Sequence, residues 1–414
     1  MKALSAKARK DNRERGSTLF IAAASLLAII SMAGLAIDLV ALYVGKSEAQ
    51  RAADAAALAG ASAFVSTGCA SGGIDCLSSS VETLATQKAT ATGAQNLVGG
   101  QTPSVPTGSI TFSRGDGATP TRNPLITVVA SATLPTFFMK IWGVTSNTVS
   151  ATATAEAFNP AGSTSGPTYC ASCLKPFLVP NCDPNHLVAK SDLNANTTCP
   201  TVGGGTNNYQ SYFINPNNNG QLVNSGSVIG EQWTLHTSAA PSQYYDIATG
   251  GSQSGSVYRS VISGCSTVVI TCGQTLQTLN GNKVGPTEQG VQSLIHANGS
   301  GLGQGQDTIN TSTSPFTMTA GSSNPYVKGG TSITQSDSLV TVPVYDGSAL
   351  SPGGSTVTVV GYMQLFIQNT DGGANISTVV TGVSSCGSKT GGTCGTGSTN
   401  GGGGTYIPVR LVHP

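Results

Sequence analysis

An uncharged run near the N-terminus constrains this chain more than any other feature. It extends over 21 residues, from Ser17 to Ile37, without one Asp, Glu, Lys or Arg. As a helix it is about 31 Å long, which matches a hydrocarbon core of roughly 30 Å. A cleavable signal peptide has an apolar core of only about 7 to 15 residues. We therefore expect a retained transmembrane helix over 17–44, with cleavage after the run as the alternative.

Basic residues precede the run and predict its orientation. Segment 1–16 holds six of them, against only Asp11 and Glu14: Lys2, Lys7, Arg9, Lys10, Arg13 and Arg15. Basic segments beside a span stay in the cytoplasm. The expected localisation is the bacterial inner membrane, crossed once, with 1–16 as a cytoplasmic basic segment and the C-terminal bulk periplasmic or extracytoplasmic.

Several residues of the span suggest contacts with neighbours. Asp38 lies at its outer end, where a carboxylate reaches interfacial water or a neighbouring helix, and a functional role is the alternative. Ala24, Ala28 and Ser31 are small enough to permit close packing with another helix.

Only 9% of the residues are charged and the net charge is +1, so neutral polar side chains must supply the soluble surface. Phosphate binding needs clustered Lys and Arg, and we expect no nucleic-acid partner.

The patterns after the span predict a small α+β module followed by a mostly β domain. An Ala-rich helix over 46–64 extends the span into the periplasm as a stalk, a second helix covers 77–96, and strands cover 109–113, 125–134 and 148–157. These form the stalk and module, 45–158. A linker at 159–167 is rich in Pro, Gly and Ser. The Gly/Ser/Thr/Asn-rich remainder, 168–414, has alternating segments at 266–271, 339–344, 356–369 and 406–412.

Ten cysteines follow the span, an even number in an oxidising compartment, which predicts disulfides. Pairing of sequence neighbours is one arrangement, although spacing does not fix connectivity: Cys69 with Cys76, Cys170 with Cys173, Cys182 with Cys199, Cys265 with Cys272, and Cys386 with Cys394. A redox-active Cys170 and Cys173 pair is an alternative. Zinc binding by Cys170, Cys173, Cys182 and Cys199, with His186 as a substitute ligand, is another.

Searches for catalytic motifs find none, so we expect no enzyme, cofactor or metal site. The four histidines, His186, His236, His296 and His413, are far apart in sequence. The Arg114-Gly115-Asp116 tripeptide is explained by a hairpin turn, and the segment from Asp371 to Asn375 lacks the full ligand set of a calcium loop.

The N-terminal residues also carry a family resemblance. Arg15-Gly16-Ser17 opens the apolar run, Gly34-Leu35-Ala36-Ile37-Asp38 ends it, and residues 50–61 read Gln-Arg-Ala-Ala-Asp-Ala-Ala-Ala-Leu-Ala-Gly-Ala. This pattern resembles the N-terminal signature of TadG-like proteins of Flp pilus assembly, and weaker echoes follow at 134–139, 282–291 and 339–346. The resemblance implies a membrane-anchored accessory protein with a structural or scaffolding role, whose partners are other pilus-assembly or envelope proteins. The Asp-x-Ser-x-Ser metal motif of some family members is absent from the sequence.

Two other functions are alternatives to this one. A β domain that binds a surface ligand or sugar through exposed Trp233, Tyr244 and Tyr245 would make the chain an adhesion module. A processed pilin would be cut near Gly16 and would favour Glu at the position of Ile21, so we expect the anchor to stay intact.

Overall fold

The computed structural model describes most of the chain in segments. These are 11–71, 75–115, 123–159, 169–189, 199, 209–215, 220–223, 228–235, 254–266, 268–279, 283–348, 350, 356–373, 375–387, 399–401 and 407–412, with the side chains of 11–17, 169–170 and 399–401 left out.

One uninterrupted helix, α1 (Asp11–Ser66), contains both the predicted span and its extension. No proline interrupts these 56 residues, so the backbone hydrogen bonds continue throughout. Among the described residues it is the one helix long and apolar enough to cross a membrane. Its first half is exposed and apolar, whereas its second half is buried along one face.

The buried half of α1 packs on an antiparallel sheet together with α2 (Ser79–Gln95). The sheet has the order β1 (Ile110–Arg114), β2 (Pro124–Pro135), β3 (Ser146–Ala157) and β20 (Val409–Val412). These bounds confirm the predicted second helix and the three predicted strands. Small residues make the packing close, and all of these are fully buried: Ala49, Ala52, Ala53, Ala56 and Ala57. The Ala-rich extension is therefore part of the core of this module.

The rest of the chain is mostly β, around a second core. Its main sheet has the order β10 (Gln232–Leu235), β18 (Ile376–Ser385), β17 (Thr356–Thr370), β16 (Leu339–Tyr345) and β5 (Val179–Pro180). Strand β12 (Thr275–Gln277) also pairs with β17. Helices α3 (Gly255–Ser263) and α4 (Val284–Leu294) contribute Tyr258, Ile262 and Val291 to that core. The other described strands of this part are β4 (Tyr169–Ala171), β6 (Asp183–Val188), β7 (Tyr209–Ser211), β8 (Ile214–Asn215), β9 (Gln221–Leu222), β11 (Ile270–Thr271), β13 (Thr308–Asn310), β14 (Thr317–Thr319), β15 (Ser332–Ile333) and β19 (Thr399–Gly401).

The last strand crosses the predicted boundary between the two parts. β20 pairs with β3 in the first sheet, with Val409 opposite Ala157 and Leu411 opposite Ala155. Most of the predicted linker lies outside the described residues, so the division at 159–167 stays a prediction.

Four disulfides join described cysteines. Cys69–Cys76 and Cys182–Cys199 link sequence neighbours, as the simple pairing predicted. Cys173–Cys265 and Cys272–Cys386 do not, and neighbour pairing is wrong there because strand pairing brings distant segments together. No free cysteine is found among the described residues; Cys394 lies outside them and the side chain of Cys170 is not described.

Candidate membrane-contact site

The carboxylate of Asp38 is enclosed by the backbone of the connection between β2 and β3. Its Oδ1 accepts a hydrogen bond from the amide of Phe137 at 2.8 Å. Its Oδ2 accepts from the amides of Phe138 and Met139 at 2.9 and 2.6 Å. These amides open a short 3₁₀ turn, Met139–Trp142, whose first N–H groups would otherwise lack acceptors. Asp38 therefore caps this turn and fixes it to α1.

This arrangement differs from what we expected of Asp38. Only 1% of the residue is exposed, and its partners are backbone amides rather than interfacial water or a helix. The sequence offered no signal for the pairing because the partners are about one hundred residues away.

The same connection exposes large apolar side chains beside the apolar half of α1. We call this set the apolar rim: Phe137, Phe138, Ile141, Trp142 and Val144. Ile141 is 76% exposed and Trp142 is 59% exposed, although both are large and apolar. A hollow of about 300 Å³ between the rim and α1 is lined by apolar side chains and one serine: Ser31, Met32, Leu35, Met139, Trp142 and Val144.

The position of the rim along α1 places it beside the predicted span. Gly34 lies against Phe138, where an added Cβ would come within 2.7 Å of the ring. Val44 is the last residue of the predicted span, and Asp38 lies six residues before it, which corresponds to a rise of about 9 Å along a helix. The rim and the exposed half of α1 thus form one continuous apolar surface, with Lys140 as the charged residue of the turn.

The described residues among the others that the sequence analysis singled out lie at separate positions. His186 lies beside Asp183 and Glu231, whereas His296 Nε2 lies 2.9 Å from Asp337 Oδ2. His236 and His413 fall outside the described residues, as do Tyr244 and Tyr245. Arg114 pairs with Asp75 through both terminal nitrogens, and Asp116 is outside the described part of the chain.

Two alternative roles for the cysteines and one premise of the adhesion alternative are wrong. The cysteine zinc site is excluded because Cys173, Cys182 and Cys199 are in disulfides, as is the redox pairing of Cys173 with Cys170. Trp233 is not an exposed aromatic: it is 7% exposed, packs against Phe213 with ring centroids 5.9 Å apart, and donates its indole N–H to Glu231.

A cleft of about 820 Å³ in the β-rich part has a mixed lining that the sequence did not indicate. It brings together Lys175, His296, Tyr326 and Asp337. Burial lowers the pKa of Lys175 to about 8, while the nearby Asp337 carboxylate opposes the shift. The Lys175 ammonium donates a hydrogen bond to the carbonyl of Gly264.

Comparison with known proteins supports the N-terminal resemblance. Residues 16–63 match the Tad family model, which describes TadE/G-like Flp pilus assembly. The match covers the apolar run, Asp38 and the Ala-rich half of α1, and it confirms the resemblance predicted from those residues. No curated protein and no solved structure matches the chain significantly.

Proposed function

From the TadE/G-like match over 16–63, we propose that this chain is a membrane-anchored accessory protein of Flp pilus assembly. In this proposal α1 crosses the bacterial inner membrane with its N-terminus in the cytoplasm, and the modules lie in the periplasm. The role is structural or scaffolding rather than enzymatic, and the partners are other pilus-assembly or envelope proteins.

The family match carries the assembly role, and the contact between the rim and α1 supports the anchoring. Asp38 fixes the rim at the level where α1 is still apolar and exposed. Large exposed apolar side chains beside a span are stable when they enter the lipid interface, where Trp is favoured. The second half of α1 is buried in the first module. The anchor and module would then be held in a fixed orientation on the membrane, which suits a scaffold.

Topology tests the anchoring. Cells that express a C-terminally tagged chain are fractionated, and their spheroplasts are treated with protease. We expect the tag to remain with the membrane and to be removed by protease. A soluble tag, or a tag protected from protease, would contradict the proposed anchor or its orientation.

Deletion of the gene tests the assembly role separately. We expect fewer Flp pili on the cell surface, and restoration by the full chain but not by a chain lacking 134–145. Normal pilus numbers in the deletion strain would refute the assembly role while leaving the topology intact.

Ligand binding is the second candidate function, and the cleft favours it. Tyr326 lies on the cleft and is 77% exposed, which suits stacking against a sugar ring. Binding of the solubilised full chain to a carbohydrate array, lost in Tyr326→Ala, would support this function. Equal signals from both proteins would count against it.

A further inference from the structure

Three side chains outside the membrane-contact site converge on one point. Asp183 and His186 belong to β6, and Glu231 immediately precedes β10. One ligand atom from each lies within 4.8 Å of the others. In a regular strand, residues three apart point to opposite faces. A bulge between Asp183 and Leu187 breaks this alternation and lets Asp183 and His186 face each other.

Hydrogen bonds orient one oxygen of each carboxylate. Asp183 Oδ1 accepts from the amides of Asn185 and His186 at 2.9 and 3.2 Å. Glu231 Oε2 accepts from Trp233 Nε1 and Asn185 Nδ2 at 2.8 and 2.7 Å. The other oxygens, Asp183 Oδ2 and Glu231 Oε1, lie 2.8 and 3.6 Å from His186 Nδ1.

The atoms that face inward lack hydrogen bonds. The Asp183 side chain is fully buried, yet its Oδ2 has no hydrogen-bond partner. His186 Nδ1 is also buried without one. Asp183 Oδ2 and His186 Nδ1 are 2.8 Å apart, yet no hydrogen bond of acceptable geometry joins them. A buried carboxylate oxygen without a donor is costly, so a positive charge is expected beside it.

We propose that Asp183, His186 and Glu231 bind a divalent cation of the zinc type. Imidazole nitrogen and carboxylate oxygen are ligands of Zn²⁺, and hydrogen bonds to the second oxygens are typical of groups that hold such ligands in place. The ring of His186 is 43% exposed, so solvent reaches the edge of the site, whereas its Nδ1 is buried beside the carboxylates. The neighbouring Cys182–Cys199 disulfide restrains the start of β6.

Zinc titration of the full chain tests the site. The chain is purified in detergent with a tag that contains no histidine, stripped with a chelator, and titrated with ZnCl₂ by calorimetry. We expect one ion per chain and a higher unfolding temperature with Zn²⁺ than without it. Binding should be lost in His186→Gln and in Asp183→Asn. His296→Gln, which changes a histidine outside the cluster, should bind normally.

The orienting amide gives a second, milder variant. Asn185→Ala removes the donor to Glu231 but no ligand, and it should weaken Zn²⁺ binding by roughly 10- to 100-fold. Asn185 is exposed and His186 is partly exposed, so Asn185→Ala and His186→Gln are expected to fold. Circular dichroism checks the fold of both, and that of Asp183→Asn, whose side chain is buried. Failure of the original chain to bind Zn²⁺, or binding unchanged in His186→Gln, would overturn the proposal.

Discussion

Asp38 shows how one carboxylate can fix a distant loop. It accepts three backbone N–H groups, whereas an asparagine offers one oxygen and places an NH₂ group against the remaining donors. We expect Asp38→Asn to weaken the docking of the rim by about 2 kcal/mol or more, since hydrogen bonds to charged groups contribute about 1.5 to 3 kcal/mol. In vesicles, trypsin should then cleave after Lys140 at least tenfold faster, as measured by mass spectrometry.

Asp54→Asn is the matched control because Asp54 is on the same helix and interacts with Gln50 one turn away. Its cleavage rate at Lys140 should equal that of the original chain. Slow cleavage in Asp38→Asn would show that packing of Phe138 on Gly34, and not the carboxylate, holds the rim.

Lys175 gives a prediction about pH. Burial lowers its pKa to about 8 in the folded chain, so the unfolded chain holds more protons between pH 8 and about 10.4. The cost of burying the charged form, about 3 kcal/mol, is fully present below pH 8 and is relieved as the pH rises through that interval. The stability of the original chain relative to Lys175→Met should therefore increase from pH 8 to 10.

Guanidinium unfolding at several pH values measures this difference. The chain has two tryptophans, so a Trp142→Phe background leaves Trp233, in the second core, as the fluorescent reporter. Lys328→Met, at an exposed position, is the matched control for the replacement of a lysine by methionine. A flat profile for Lys175→Met would mean that Lys175 keeps an ordinary pKa.

At the scale of elements, α1 has an exposed apolar first half and a second half that packs against α2. Ala56 is fully buried and faces Gly93 of α2, where an added Cβ would meet the Ala56 methyl group at 3.4 Å. Ala55, one residue earlier, is half-buried. We expect Ala56→Leu to lower the free energy of unfolding by about 1 to 3 kcal/mol because the helices cannot separate to admit the larger side chain.

Ala55→Leu is the control, since both substitutions replace one good helix former with another. It should change stability by less than about 1 kcal/mol. Both are measured by thermal unfolding in detergent. Equal losses would indicate that the α1 and α2 contact is looser than its small residues imply.

Elements with a strong local pattern were predictable from the sequence. The apolar half of α1, the helix α2 and strands β1 to β3 have long apolar runs or clear alternation, and the structure contains these helices and strands. Helices α3 and α4 were not predicted because they are short and rich in Gly, Ser and Gln. Their few apolar residues form no clear sequence pattern and are buried only by packing against the second core. Within the predicted strand at 266–271, the described residues form a strand over Ile270–Thr271.

Contacts between distant residues were not predictable at any scale. The docking of Asp38, the burial of Trp233, the convergence of Asp183 with Glu231 and the pairing of β20 with β3 all depend on tertiary structure. The docking of Asp38 forms the candidate membrane-contact site. The sequence therefore identified the apolar helix of that site but not the rim.

At the scale of the whole molecule, disulfides connect segments that are far apart in the chain. Cys272–Cys386 closes a loop with a sequence separation of 114, whereas Cys69–Cys76 closes one of 7. In the chain-entropy description, the long loop restricts the unfolded chain by about 5 kcal/mol and the short one by about 2.5 kcal/mol. Replacing Cys272 and Cys386 with alanine should therefore cost about twice as much stability as replacing Cys69 and Cys76.

Both double variants are compared in the Trp142→Phe background by guanidinium unfolding under non-reducing conditions. Both cysteine pairs are almost fully buried, so the loss of packing is similar and the difference reports loop length. Equal losses would mean that the unfolded chain is already compact around residues 272–386, because a loop that is held together without its disulfide gains little from the bond. A larger loss for the short loop would instead show that the restraint at the end of α1 stabilises the chain more, because Cys69–Cys76 lies between α1 and α2.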